Sequence, residues 1–288
     1  MVKPLTPYEL TEGRYGPMLA NKCDYYIGQA LLRYGEYGEA ELQLMRLFMR
    51  EGGTVVEIGG NNGSQTVGLA KSARETGADV VVFEPQPFLF QNLCANLALN
   101  ALDNVVAWPF ACGAERGTVG FDRPDYKRLG NFGGVSMTRD SKAGQVKVPC
   151  IRADSMLEDK HVTIMKIDVE GFELEALKGA SETISRCRPV LYVENDRPAQ
   201  SPALVEHLWT EGYRLWWHLV PLFNPGNFRQ DSANIYGRTV SCNMLCLPCE
   251  FEVQVQGMTE LVDASFHPFA SKTADDEHSE VPAATAGH

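Results

Sequence analysis

The chain has 288 residues, 44% of them hydrophobic and 22% charged, with a formal net charge of −11 at pH 7. That balance excludes global disorder and suits one large α/β domain with a real core. An acidic surface repels phosphate backbones and anionic lipid, so neither nucleic acid nor a membrane is expected as a partner.

Gly13, Gly16 and Pro17 mark a loop in a mixed lead-in, followed by predicted helices over Asp24–Tyr34 and Glu39–Arg50. In the second, Leu42, Met45 and Phe48/Met49 recur at helical spacing. Gly52-Gly53 stops it, and Thr54–Ile58 reads as a buried strand. Helix and strand then alternate: helix over Gly63–Thr76, strand over Asp79–Phe83, helix over Phe88–Asn100, strand over Val105–Phe110. Residues 112–150, rich in Gly, Asp and Arg, read as a strand plus an irregular insertion. Val162–Ile167 is the next strand. Gly171–Arg186 reads as an amphipathic helix with Glu182 and Arg186 paired outward at i, i+4, and Val190–Val193 as a strand. A helix over Pro202–Glu211, strands over Tyr213–Trp217 and Thr239–Leu247, and a loop between them close the pattern.

Alternation at this spacing implies βαβ crossovers, hence a doubly wound, mostly parallel sheet with helices on both faces. The two closing strands fit an antiparallel C-terminal edge. The longest apolar runs, such as Val80–Phe83, are far too short to span a bilayer. Met1–Leu10 has no basic-then-apolar leader, and the eight cysteines are scattered as reduced thiols are. A cytoplasmic location is therefore expected, and a homo-oligomer stays open.

The strongest local signal is Glu57-Ile58-Gly59-Gly60-Asn61-Asn62-Gly63-Ser64, at the exit of the first strand and the start of a helix. Glycines there let the backbone turn sharply and approach a ligand, and the helix N-terminus beyond offers free N–H groups. The next strand ends in Glu84-Pro85, where a carboxylate can accept both hydroxyls of a ribose. Two nucleoside cofactors suit this layout. Dinucleotides ask for G-x-G-x-x-G, which fails because position 58 is Ile. S-adenosyl-L-methionine suits an acid, one residue, Gly, three residues, Gly, as supplied by Glu57, Gly59 and Gly63; a carboxylate beside the loop also favours a sulfonium and an amino group over a pyrophosphate.

Asp168-Val169-Glu170-Gly171-Phe172-Glu173, followed by Leu177-Lys178-Gly179-Ala180, strongly resembles the signature of the FkbM family of S-adenosylmethionine-dependent methyltransferases. So do Asp24 to Gly35-Glu36, Trp217-His218-Leu219 with Leu222-Phe223-Asn224-Pro225, and Asn243-Met244-Leu245-Cys246, over about residues 13–250. The resemblance implies a Rossmann-like class I methyltransferase fold with a seven-stranded sheet, and O-methylation of a hydroxyl on a sugar, glycan or secondary metabolite. The family's usual acid-Val-Gly-Ala-Asn-Ile-Gly loop is altered here, with Asn62 at a normally apolar place. The chain then divides into a helical lead-in or lid (1–50), the methyltransferase domain (51–252) and a partly disordered tail (253–288).

In an open α/β sheet, ligands sit beyond the carboxyl ends of the strands. That rule gathers the cofactor-binding candidates Glu57, Gly59, Gly60, Asn61, Gly63, Ser64, Glu84, Pro85 and Asp168, and the catalytic candidates Asp168, Glu194 and His218. Asp168 could serve the acceptor or the donor's amino group, or cap the following helix. Asp168, Glu194 and Asn195 could hold Mg²⁺, as in catechol O-methyltransferase, or His218 could act as the base. Asn224–Phe228 with Tyr236 would shape the pocket for a small-molecule or saccharide acceptor. Weighed against this are an N-methyltransferase, a nicotinamide oxidoreductase, a non-catalytic nucleoside-binding scaffold, and an iron–sulfur site on Cys242, Cys246 and Cys249. Strand alternation instead packs Cys242 and Cys246 on one apolar face.

Overall fold

A computed structural model describes residues 6–140 and 142–270. The chain opens on a hairpin, β1 (Tyr8–Gly13) and β2 (Gly16–Asn21), and two short helices, α1 (Ile27–Tyr34) and α2 (Glu39–Arg46). Then come β3 (Thr54–Ile58), α3 (Thr66–Glu75), β4 (Asp79–Phe83), α4 (Pro87–Leu99) and β5 (Val105–Trp108). An inserted small sheet follows, from β6 (Ala111–Cys112), β7 (Gly117–Phe121) and β8 (Val146–Ile151). The main sheet resumes with α5 (Asp154–Leu157), β9 (Val162–Ile167), α6 (Glu173–Gly179), α7 (Ser181–Cys187), β10 (Val190–Glu194), α8 (Ser201–Thr210), β11 (Tyr213–Pro221), β12 (Val240–Pro248) and β13 (Thr259–Glu260).

β3 is buried along its whole length because it lies mid-sheet, parallel to β4 on one side and β9 on the other. A β-branched run covered on both faces suits such a strand. Alternation splits the core. Val56 and Ile58 pack with Ala176, Leu177, Ile184 and Leu204 of the later helices, whereas Val55 packs with Leu42, Val67, Ala70 and Leu93 of α2, α3 and α4. Helices therefore cover both faces, as the alternating pattern requires, and the fold is a doubly wound, Rossmann-like α/β sheet.

The main sheet has eight strands, in the order β13-β11-β12-β10-β9-β3-β4-β5, rather than seven. The extra one is the two-residue β13, antiparallel to β11 at the edge. The long antiparallel strand β12 is not at the edge but inserted between β10 and β11. The expected helix over 171–186 breaks into α6 and α7 at Ala180, whose φ −112° and ψ 9° leave the helical region; the preceding Gly179 lies so close to the inserted sheet that a Cβ there would be 2.3 Å from the Gly113 carbonyl oxygen. Asp154 then accepts from the amides of Glu182 and Thr183, and Arg186 reaches the Leu157 and Lys160 carbonyls instead of Glu182.

In the lead-in the loop at Gly13–Pro17 is the turn of the β1–β2 hairpin, and the two expected helices follow it. Asn92 and Asn96 of α4 bond to the main chain of Leu19, a long-range tie that local pattern does not display. Within the expected tail, Leu261 and His267 are buried, and a His267 Nε2 bond to the Asn195 carbonyl docks the segment on the core. Residues 271–288 lie outside the described residues. Among the described residues no disulfide forms; Cys242 and Cys246 are buried, Cys249 is exposed, and the three thiols do not form a metal-holding group there. No helix among the described residues is long and apolar enough to cross a membrane.

Candidate active site

Beyond the carboxyl ends of β3, β4, β9 and β10 opens a cavity of about 930 Å³. That is near the top of the range for small-molecule sites and leaves room for a nucleoside cofactor beside a second reactant. Its walls carry Glu57, Gly59, Gly60, Asn61, Ser64, Glu84, Pro85, Asp168 and Glu194, so most of the candidates converge.

The loop after β3 is built tightly. Gly59 has φ +98°, and a Cβ there would lie 1.8 Å from the Asp168 carbonyl oxygen, so only glycine lets β3 and β9 end side by side. Asn61 takes φ +50° and turns its N–H onto Glu84 Oε2 at 2.8 Å, while the Gln86 N–H donates to Glu84 Oε1 at 2.7 Å. These bonds fix the carboxylate facing the cavity. Burial nevertheless raises the Glu84 pKa to about 8, the amides of Gln86 and Asn61 offsetting it only in part. Asn62 accounts for the departure from the apolar norm. Its Oδ1 accepts from the Ser64 N–H and its carbonyl accepts from Asn96 Nδ2, so it closes the turn while 1% exposed. Gly63 lies behind the wall rather than on it, where a Cβ would press Leu93 at 2.9 Å.

Glu57 faces the cavity floor almost fully buried. Thr66 Oγ1 donates to its Oε2 at 2.6 Å, and Lys166 Nζ lies 3.6 Å from its Oε1. Lys166 also reaches Asp168 Oδ2 at 3.0 Å. Burial opposes the ammonium charge, but Asp168, Glu57 and Glu41 outweigh it and push the Lys166 pKa up. Nothing in the motif indicated Lys166; its only sign is a lysine inside an otherwise apolar strand. Glu41, likewise unforeseen, reaches the floor from α2, where it accepts from Gln65, Ser241 and Asn243.

At the other end stand Asp168, Glu170 and Glu194. Glu170 occupies a left-handed turn at φ +56°, which brings its carboxylate back beside Asp168. Burial raises the Glu194 pKa well above the ordinary range, with Asp168, Glu170, Asp196 and Glu173 adding repulsion; burial and then Asp168 and Asp196 raise that of Glu170. Arg197 Nη2 binds Glu170 Oε2 at 2.8 Å. Seven carboxylates line the cavity (Glu41, Glu57, Glu84, Asp168, Glu170, Glu194 and Asp196) against Lys166 and Arg197, so the site favours cationic and hydroxyl-bearing guests.

Three expectations need correction. Asn195 follows Glu194 on the strand, so alternation turns it to the other face; it is 3% exposed and its Nδ2 meets Ser201 Oγ and Met244 Sδ. His218 shares a face with Glu194 but lies two strands away, separated by Asn243; its Nδ1 is tied to the Tyr192 hydroxyl at 2.8 Å, burial lowers its pKa, and it does not line the cavity. Asn224–Phe228 and Tyr236 are not on the wall either. Glu36 pins the former by accepting from Asn224 Nδ2 and the Phe228 N–H, and the Tyr236 hydroxyl donates to the Tyr26 carbonyl. Leu222, Thr239–Asn243 and part of the insertion, including Asn131, Gly133 and Met137, form that wall instead.

Fold and cleft together define a class I methyltransferase architecture, with a glycine turn and a cavity-lining acid, Glu84, at adjacent strand ends. A model of the methyltransferase FkbM domain matches residues 57–215, and the chain belongs to that family. Among curated proteins, the hexuronic acid methyltransferase AglP of Haloferax volcanii is 26% identical over 150 residues, which span 50% of this chain and 58% of that one. Among solved structures, a methyltransferase FkbM from Methylobacillus flagellatus KT aligns at a TM-score of 0.46 and 17% identity, covering 77% of this chain and 55% of that one. A precorrin-6y C5,15-methyltransferase from Geobacter metallireducens GS-15 aligns at 0.45 and 11% identity, covering 72% and 85%.

Proposed function

We propose that the protein uses S-adenosylmethionine to methylate a hydroxyl on a saccharide or related small molecule. The observation that carries this reading is Glu84, held toward the cavity by the Asn61 and Gln86 amides beside a loop in which Gly59 excludes any side chain. Its carboxylate retains lone pairs for two ribose hydroxyls. Glu57 and Asp168, joined through Lys166, give the donor's ammonium and sulfonium a negative wall. When bound, the cofactor supplies an electrophilic methyl group.

The chain's own task is then alignment, which is worth roughly 7–11 kcal/mol in well-placed reactants. Asp168 and Glu194 orient the acceptor hydroxyl from the ends of neighbouring parallel strands. The carboxylate-lined wall disfavours a phosphodiester acceptor, and the relative named as a hexuronic acid methyltransferase supports a saccharide. Incubating the protein with S-adenosylmethionine and a panel of neutral and uronic-acid oligosaccharides, then measuring S-adenosylhomocysteine and product mass, tests this. A methylated saccharide is expected; donor binding without turnover on any hydroxyl compound would overturn the acceptor class.

A further inference from the structure

We propose that Asp168, Glu170 and Glu194 form a binding site for a hard divalent cation at the acceptor end of the cleft. One carboxylate oxygen from each lies within 4.8 Å of the other two. Hard cations bind oxygen at about 2.0–2.6 Å, which sets ligand oxygens about 3–5 Å apart, so side-chain adjustment suffices without moving the strands.

A second observation points to a guest. Glu194 Oε2 is buried and has no hydrogen-bond partner among the described residues, although Glu194 borders the cavity. A buried, unpaired carboxylate oxygen is costly unless something occupies the space it faces. The nearby cations are turned to other acids: Lys166 Nζ binds Asp168 Oδ2 and Arg197 Nη2 binds Glu170 Oε2, while Arg197 Nε lies 3.7 Å from Asp196 Oδ1 and makes no hydrogen bond among the described residues. Among the described residues no hydrogen bond engages Asp168 Oδ1 or Glu170 Oε1, so each of the three acids has an oxygen left to offer. With Asp196 also close, the local excess is negative. The donor set is oxygen only, without His or Cys, which selects Mg²⁺, Mn²⁺ or Ca²⁺ over zinc or copper.

The role assigned to the ion rests on the methyl-transfer reading of this cleft: it would bind and orient the acceptor hydroxyl beside the donor. Its existence can be tested separately. Full-length protein, stripped with EDTA and checked by circular dichroism, is titrated with Mn²⁺ by electron paramagnetic resonance and with Mg²⁺ and Ca²⁺ by calorimetry. S-adenosylhomocysteine binding is measured on the same metal-free samples. One saturable site is expected, weakened at least about tenfold in both Glu194→Gln and Glu170→Gln. Absence of saturable binding while S-adenosylhomocysteine still binds would refute the cation site and leave the methyl-transfer reading standing. Binding unchanged in both variants would refute it too, by placing the ions elsewhere on the acidic surface. Cation binding lost in the variants, in a protein that ignores S-adenosylhomocysteine, would uphold the site and remove the reading of its role.

Discussion

The two ends of the cleft are built on different principles. At the donor end the polar side chains have hydrogen-bond partners inside the protein: Glu84 accepts from two main-chain amides, Glu57 from Thr66 with Lys166 beside it, and Asn62 from the Ser64 amide. At the acceptor end three carboxylates crowd together, and one oxygen, Glu194 Oε2, is buried without a partner among the described residues. A satisfied network is rigid and costly to disturb, whereas an unsatisfied one stores instability that a ligand relieves. Substitutions should therefore lower stability at the donor end and raise it, at the expense of activity, at the acceptor end.

The largest expected effect is Gly59→Ala. A Cβ 1.8 Å from a backbone oxygen, in a residue at φ +98°, should cost more than about 4 kcal/mol by urea denaturation and abolish S-adenosylhomocysteine binding. Near-normal stability would show that the loop relaxes and that the donor end is not rigid. Lys166→Met follows. Stripping the ammonium from buried Glu57 should cost roughly 3–5 kcal/mol, readable as a lowered unfolding midpoint.

Glu84→Gln should raise the S-adenosylhomocysteine Kd about 100-fold, the loss of two charge-assisted hydrogen bonds. The wild-type pH profile sharpens this test. Because burial lifts Glu84 to about 8, it is mostly protonated at pH 7 and ionised at pH 9, so adenosine, whose ribose hydroxyls donate to the carboxylate, should bind about tenfold tighter at the higher pH. The same raised pKa means that this group's contribution to unliganded stability is fully present at acid pH and lost as pH climbs from the ordinary carboxylate range through about 8. A flat adenosine profile would dissociate Glu84 from the ribose.

Glu194→Gln provides the converse. In metal-free protein, removing one of several like charges should raise stability by about 1 kcal/mol, or about 2–4 °C in Tm, while turnover falls. A lowered Tm would erase the contrast between the two ends. The smallest effect is expected from His218→Gln. With its Nδ1 on the Tyr192 hydroxyl and its ring off the cavity wall, it should change kcat by no more than about threefold, of the order of one lost hydrogen bond.

How much was legible follows the same division. The strands Thr54–Ile58, Asp79–Phe83 and Val162–Ile167 stand where their β-branched runs lie, because a central parallel strand must be apolar on both faces. The glycine turn and Glu84 were readable because a single βαβ unit carries both. Glu41, Lys166 and the 131–137 wall were not, since they reach the cleft from three separate elements and no local spacing links them. Glu170 was visible only as part of a resemblance; its left-handed turn brings it to Asp168 and Glu194 in place of Asn195, which strand alternation turns away.

The amino-acid order alone determined a doubly wound sheet and a turn that admits only glycine, because hydrophobic period and the absence of a Cβ act over a few neighbouring residues. Which carboxylates meet, which one is left unpaired, where β12 inserts and why His218 is kept off the cavity were decided by tertiary structure. Those outcomes depend on how distant strands register and which face each residue presents, and that is fixed only when the sheet closes.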